Sequence, residues 1–491
     1  MFFRQIVEEK LAQNAYLIGC QRTGEALLVD PERDIDRYVA LAEREGLKVT
    51  AIAETHIHAD FLSGAREFAE RGVRVYLSDE GDADWKYGWA TEGDHDVVML
   101  RDGDTFRVGN VRVEARHTPG HTSEHLSFLV TDEGGGADEP MGMVSGDFVF
   151  VGAVGRPDLL ETAAGQAGAR EPAARSLYAS VQDFLTLPDY LQVWPGHGAG
   201  SACGKALGSV PDSTVGYERR FNPSLATSRQ GERAFVESIL DGQPETPIYF
   251  ARMKRLNKEG PPVLGDLPRP SRIDAVELAE LAGRTDVAVV DTRADRSAFM
   301  REHLAGSLHA PLDGSFPTLV GSYVEPDTPV YLLVEEARVE EAVRDLVRVG
   351  IDRIAGYAPA EVLNELRDAN GALASTEEIS TRELERRRQD DNVAVVDVRR
   401  LDEYREGHVP GARLAPHVRL PEYASELPNG RTLLVHCAGG VRAAAAAAYL
   451  ERSGHDVVYV NGRFSEWADA HPAEVTEGER APEPARASVG A

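Results

Sequence analysis

Cysteine is nearly missing from this chain of 491 residues: only Cys20, Cys203 and Cys437 occur. Odd in number and far apart, they exclude a disulfide framework, so any thiol chemistry must use individual cysteines. Long apolar runs are missing as well. Nothing approaches the roughly 18 uncharged residues of a membrane-spanning helix, which speaks against a membrane role. The segment from Met1 to Lys10 carries charges where a secretory leader needs its apolar stretch, and a cytoplasmic location is expected. Positive charge is in deficit, with 53 Lys and Arg against 81 Asp and Glu for a formal charge of −28. That balance argues against nucleic acid and anionic membrane as partners; an anionic substrate would need donors arranged locally against the overall field.

What remains is an ordinary globular composition, 42% hydrophobic and 27% charged, at a length suited to roughly two to four domains. Up to about residue 245, short β-rich runs such as Ala26–Val29, Val73–Leu77, Val111–Ala115 and Leu126–Val130 alternate with turn signals and amphipathic stretches, as in an α/β sandwich. Prolines and glycines cluster between Gly260 and Pro270, which reads as a linker. After Pro472, Glu, Pro, Ala and Gly dominate, and a disordered tail is expected. Between linker and tail the chain repeats itself: Val287–Arg293 returns as Val393–Arg399, and His303–Ser307 returns as His408–Ala412. Each copy has the strand–helix alternation and size of a small parallel-sheet domain. Only the second ends its next strand in a cysteine, Leu433–Cys437; the first has Tyr331–Glu335 there.

Two groups of residues carry chemistry. In the first, Thr55-His56-Ile57-His58-Ala59-Asp60-Phe61 leaves the apolar strand Val49–Ala53 with two imidazoles and a carboxylate at alternate positions. His121 follows on a tight turn, Asp147 ends the strand that contains Ser145-Gly146, and His197 lies in Trp194-Pro195-Gly196-His197-Gly198. These are metal-ligand types at strand ends. His117 reads as a loop residue or one that supports the ligands rather than a ligand itself, and His95, His125, His303 and His309 as structural or solvent-facing. In the second group, His436-Cys437-Ala438-Gly439-Gly440-Val441-Arg442 runs from a strand end through a glycine-rich loop into an alanine-rich helix. Backbone N–H groups should converge on the sulfur, and the helix N-terminus favours negative charge there. Arg442 closes the loop and could pair with an oxyanion. Cysteine phosphatase loops look similar but run one residue longer.

The first group resembles the His-x-His-x-Asp-His signature of the metallo-β-lactamase superfamily, with Phe61 at the last histidine. A phenyl ring cannot ligate metal, which points away from two-zinc hydrolysis. With Gly155-Arg156-Pro157-Asp158, Ser176-Leu177-Tyr178, Leu185–Pro188 and Phe221-Asn222-Pro223, the region is similar to the persulfide dioxygenases of the ethylmalonic-encephalopathy type. That resemblance implies mononuclear Fe(II) held by His56, His121 and Asp147, a facial triad with positions open for substrate and O2. His58, Asp60 and His197 would orient these ligands, although a four-ligand zinc site would recruit His58. Arg156 and Tyr178 would organise the substrate end of the pocket. Cys203, six residues after His197, would relay persulfide sulfur, its thiolate favoured by Lys205, or else be a small loop residue; Cys20 reads as structural.

The Cys437–Arg442 loop, Gly407–Ala412 and Asn461–Trp467 resemble a rhodanese, in which Cys437 carries sulfane sulfur. The copy without cysteine would be an inactive rhodanese, a packing spacer or a substrate channel. The whole order is similar to CstB-type persulfide dioxygenase–rhodanese fusions of bacterial sulfide detoxification. The implied fold class is α/β: an N-terminal αββα metallo-β-lactamase sandwich at 1–250, a linker at 251–270, an inactive rhodanese-like domain at 271–370, an active one at 375–472, both with parallel sheets, and a tail at 473–491. The implied partners are a small persulfide (of glutathione, coenzyme A or bacillithiol), O2 and sulfite, in a homo-oligomer. The alternative is a zinc-dependent, glyoxalase-II-like thioester hydrolase with a rhodanese sulfur-carrier module.

Overall fold

Alternation along single strands builds the first half of the molecule. In Gln13–Cys20, Ala15 and Leu17 face one apolar cluster while Tyr16, Ile18 and Cys20 face another, as the two-residue period of a strand buried on both faces requires. The structure, a computed structural model, describes every residue except 92, 163–164, 167, 206, 368–370 and 479–491. Its first unit comprises Met1–Asp266 with Val347–Gly350, its second Leu267–Leu346 with Ile351–Ala491.

In the first unit, one six-stranded sheet runs in the order Phe2–Glu8, Gln13–Cys20, Glu25–Val29, Lys48–Ala53, Arg74–Ser78, Val97–Leu100. The second runs Ser213–Thr214, Gln192–Pro195, Gly142–Gly146, Leu126–Asp132, Val111–His117, Thr105–Val108. The sheets pack face to face over Tyr16, Ile18, Leu27 and Val29 from one side and Val113, Ala115, Phe128 and Val144 from the other. Helices Asp36–Arg44 and Ala65–Ala69 cover the first sheet through Tyr38, Ala42 and Phe68, and Arg170–Phe184 covers the second through Ala174, Leu177 and Val181. The result is an αββα sandwich. Cys20 sits in the inter-sheet core, as its structural reading expects.

The stretch expected as a linker from 251 is different. Phe250–Glu259 is a helix that buries Phe250, Met253 and Asn257 at helical spacing. Asn257 Nδ2 donates to the His58 and Phe61 carbonyls at 2.8 and 2.7 Å, and its Oδ1 accepts from Ser63 N at 2.9 Å. The segment therefore pins the His56–Phe61 turn. One of its three inward positions is polar, which hid the helix from a reading by hydrophobic period.

The second unit holds two five-stranded, all-parallel sheets with the same strand order. They are Ser271–Arg272, Ile354–Ala358, Val330–Leu333, Ala288–Asp291, Leu308–His309, and then Glu377–Ile379, Val457–Val460, Thr432–His436, Val393–Asp397, Arg413–Leu414. The sequence repeat is also a repeat of contacts. Arg293 grips Asp291 at 2.6 Å and the Glu302 carbonyl at 2.8 Å; Arg399 grips Asp397 and the Gly407 carbonyl at 2.7 Å each. His303 and His408 are buried and each bonds the carbonyl four residues earlier at 2.9 Å. Part of the stretch expected as a tail from 473 is structured: His408 and Thr476 exchange backbone hydrogen bonds of 3.0 and 3.1 Å. The rest of that tail, 479–491, lies outside the described residues. Among the described residues no helix is long and apolar enough to cross a membrane.

Candidate metal centre and thiol loop

Loops leaving five strand ends build the metal centre. Asp30, at the tip of Glu25–Val29, accepts from Thr55 N at 2.7 Å and from the Thr55 hydroxyl at 2.8 Å. Because that hydroxyl donates to Asp30, its oxygen is left to accept from His56 Nδ1 at 2.9 Å, so His56 Nε2 keeps a free lone pair. Asp147 follows Gly146, whose φ of +52° and approach to Thr55 exclude a side chain: a Cβ would lie 2.7 Å from Thr55 Oγ1. The Asp147 N–H donates to His125 Nε2 at 3.0 Å, and its Oδ1 bonds His197 Nδ1 at 2.8 Å. His197 Nε2 in turn bonds Asp60 Oδ2 at 2.7 Å.

This leaves Asp147 Oδ2 buried without a hydrogen-bond partner, 3.4 Å from His121 Nε2 and 3.9 Å from His56 Nε2. His56, His121 and Asp147 each present one ligand atom, all within 4.8 Å of one another. An orphaned carboxylate oxygen flanked by two imidazole nitrogens fits a cation better than it fits any neutral packing. Burial pushes His56 well below its ordinary pKa and lowers His121, which keeps both neutral and able to ligate. Burial opposes ionisation of Asp147, yet the charge and hydrogen bond of His197 hold it below the usual carboxylate range. Against burial, Asp147 and Asp60 raise His197 to about 10, so it is an imidazolium donating from both nitrogens.

His58 turns the other way. Its Nε2 lies 3.3 Å from Asp30 and 3.2 Å from Glu54, and these carboxylates, overcoming burial, hold its pKa well above the ordinary value. The fully buried Phe61 ring packs on it at 4.4 Å, an apolar burial of about 2 kcal/mol. His58 is therefore outside the His56/His121/Asp147 group.

In the second unit, Cys437 is buried at the end of Thr432–His436, and the Gly440 N–H donates to its Sγ at 3.1 Å. Helix Val441–Arg452 starts immediately after. Arg442 is not waiting for an anion: Glu403 takes it in a bidentate pair at 2.6 and 2.7 Å. Despite partial burial, Arg442 brings Glu403 down to about 2. The pair buttresses the loop and neutralises its arginine.

Residues 9–197 match the Metallo-beta-lactamase superfamily, and residues 380–470 match the Rhodanese-like domain. A crystal structure of a metallo-beta-lactamase from Staphylococcus aureus subsp. aureus COL is 38% identical, covering 73% of this chain and 99% of that one with a TM-score of 0.65. The chain belongs to the metallo-β-lactamase superfamily, with a rhodanese-like domain fused to it. The bovine mitochondrial persulfide dioxygenase ETHE1 is 27% identical over 234 residues, 46% of this chain and 77% of that protein. A beta-lactamase hydrolase-like protein of Xylella fastidiosa (strain 9a5c) is 29% identical over 285 residues, 52% of this chain; the chain spans 58% of that relative's length.

Within the metallo-β-lactamase domain, the structure places both expected substrate residues among protein partners. Arg156 is buried and spends its donors on Asp158 at 2.9 and 2.6 Å, the Ala202 carbonyl at 2.9 Å and the Pro244 carbonyl at 2.8 Å. It braces the loop that carries Cys203. Tyr178 packs its ring on Phe235 at 5.7 Å in the outer helical layer. Cys203 is buried beside Asp60 and His197, with one atom of each within 4.8 Å. Burial, and then the charges of Asp60 and Asp147, push its thiol well above the ordinary value. Lys205 does not favour a thiolate there, because its Nζ donates to the Asp241 carbonyl at 2.9 Å.

Sequence reasoning missed Asp30, Thr55, His125 and Asn257. Their roles show only in tertiary hydrogen bonds: Asp30 to Thr55, Thr55 to His56, His125 to the Asp147 N–H, and Asn257 to the His58 and Phe61 carbonyls. His197→Gln should weaken metal binding about 10–100-fold in a chelator competition, since one amide cannot hold both Asp147 and Asp60. Unchanged affinity would show that His197 does not orient Asp147.

Proposed function

We propose that this protein is a mononuclear Fe(II) persulfide dioxygenase coupled to a sulfurtransferase, acting on small persulfides in the cytoplasm. The observation that carries the reading is the buried two-imidazole, one-carboxylate group, with Phe61 and the turned-away His58 leaving it no further ligand from its own motif. His56, His121 and Asp147 would hold Fe(II) there, and the bound ion would supply the redox chemistry that joins O2 to a persulfide sulfur. The net reaction is one persulfide, one O2 and one water giving one thiol, one sulfite and two protons.

The chain's own residues set this chemistry up. Thr55 aims His56 Nε2, and His197 with Asp60 occupies Asp147 Oδ1 so that Oδ2 faces the two imidazoles. Buried walls keep the histidines neutral. At the second site Cys437 would hold the sulfane sulfur as a persulfide. Sulfite attacks the outer sulfur, the S–S bond breaks, and its electron pair stays on Cys437 as thiolate, beside the Gly440 N–H; thiosulfate leaves. The bovine relative named a persulfide dioxygenase and the rhodanese-like match support both halves.

Anaerobic loading with Fe(II), followed by oxygen-electrode assays with glutathione, coenzyme A and bacillithiol persulfides, tests the reading. The expected result is O2 uptake with sulfite and thiosulfate as products. Thioester hydrolysis by zinc-loaded protein, with no O2 consumed in any persulfide assay, would overturn it in favour of the hydrolase.

A further inference from the structure

Arg296 belongs to the copy that has no cysteine, yet its side chain ends on the loop of the copy that does. Its Nη2 donates to the Gly439 carbonyl at 3.3 Å, and Nε and Nη2 both donate to Asn461 Oδ1 at 3.2 and 3.0 Å. All of these partners are neutral oxygens. Asn461 is itself anchored, its Nδ2 donating to Glu378 at 2.7 Å and its backbone N–H to the Ile379 carbonyl at 2.8 Å.

The Gly439 carbonyl and the Gly440 N–H are two ends of one planar peptide unit and point in opposite directions. Holding the carbonyl on the Arg296 side therefore sends the N–H to the other side, where it meets Cys437 Sγ at 3.1 Å. The flanking carbonyls have other partners, Ala438 accepting from Phe464 N and Gly440 from Ala444 N, whereas Arg296 holds the Gly439 carbonyl. Both residues are glycines, and a Cβ at Gly439 would meet nothing within 4 Å, so no side chain on the Gly439 side sets the orientation of this peptide. At Gly440 the approach is so close that a Cβ would lie 2.8 Å from Tyr459 Oη, 2.9 Å from Asn461 Oδ1 and 3.3 Å from Arg296 Nη2, with φ at +88°. Tyr459 Oη donates to the Gly440 carbonyl at 3.1 Å and fixes the next peptide.

We propose that Arg296 is a positioning residue for Cys437: the cysteine-lacking copy supplies the cation that orients the Gly439–Gly440 peptide toward the reactive sulfur. The copy is then a working part of the thiol site, neither a spacer nor a channel. The consequence for sulfur transfer rests on the reading of Cys437 as sulfur carrier; the consequence for thiol reactivity does not.

The test is the rate of iodoacetamide alkylation of Cys437 in the full chain, followed by mass spectrometry of its peptide, in Arg296→Ala, Arg296→Lys and Arg452→Ala. Arg452 also ties the two copies together, donating to the Gly306 carbonyl at 2.7 Å and the Val287 carbonyl at 2.6 Å, but from the far end of the helix that follows the loop. Arg296→Ala should slow alkylation about tenfold, less than the ~10²-fold or greater loss of an oriented donor outright. Arg296→Lys should recover part of the rate, and Arg452→Ala should match the wild type. In thiosulfate formation, Arg296→Ala should lower kcat and leave KM for sulfite unchanged. Wild-type alkylation rates in Arg296→Ala overturn the proposal, as does an equal loss in Arg452→Ala, which would mark simple loosening of the two copies. Slowed alkylation in a protein that forms no thiosulfate would leave the positioning role standing and sink the sulfurtransferase reading.

Discussion

His121→Ala should abolish persulfide-dependent O2 uptake, by roughly 10³-fold or more, the scale on which loss of an indispensable catalytic group is felt. The reason is geometric. His121 Nε2 lies nearer the partnerless Asp147 Oδ2 than His56 does, at 3.4 against 3.9 Å, and among the described residues three ligand atoms, from His56, His121 and Asp147, converge there. With one imidazole gone, no neighbour can replace it: His58 is committed to Asp30 and Glu54, His197 to Asp147 and Asp60, and His125 to Thr118 and the Asp147 N–H. Bound iron, measured after desalting, should fall with the activity. Sulfur transfer from a supplied persulfide to sulfite should persist, because Cys437 and its loop lie in the other unit. A variant that binds iron and consumes O2 like the wild type would remove His121 from the metal centre.

Cys437→Ser separates the halves from the opposite side. A serine hydroxyl cannot carry sulfane sulfur, so thiosulfate formation should drop to the uncatalysed background while sulfite accumulates in its place. O2 uptake should hold within about twofold, since the substitution removes one buried sulfur and leaves the metal-centre residues untouched. Ion chromatography of the products beside the oxygen trace reads both effects at once. An unchanged thiosulfate yield would refute Cys437 as the sulfur carrier, and loss of O2 uptake would show that the two sites are coupled rather than sequential.

Much of this was legible along the chain. His56, His121 and Asp147 follow strands, and strand ends at one rim of a sandwich are where side chains from distant segments converge. The repeat around Asp291-Thr292-Arg293 and Asp397-Val398-Arg399 marked two parallel-sheet copies, since each Arg–Asp grip is local, two residues apart. The cysteine-to-arginine spacing marked the thiol loop. Harder to read were residues whose partners are remote. Glu403 captures Arg442 from 39 positions away, Asn257 holds the His58 carbonyl from 199 away, and Arg296 reaches Gly439 from 143 away.

The amino-acid order alone determined which groups could do chemistry here: ligand types at alternate positions after a strand, a phenyl ring where a further ligand would stand, and one cysteine at the mouth of a helix. Tertiary structure decided what each group is free to do. A buried donor or acceptor takes the partner that packing places beside it, and this is why Arg156 and Arg442 became braces, why His58 left the metal group, and why a copy without a cysteine came to orient the sulfur of its neighbour.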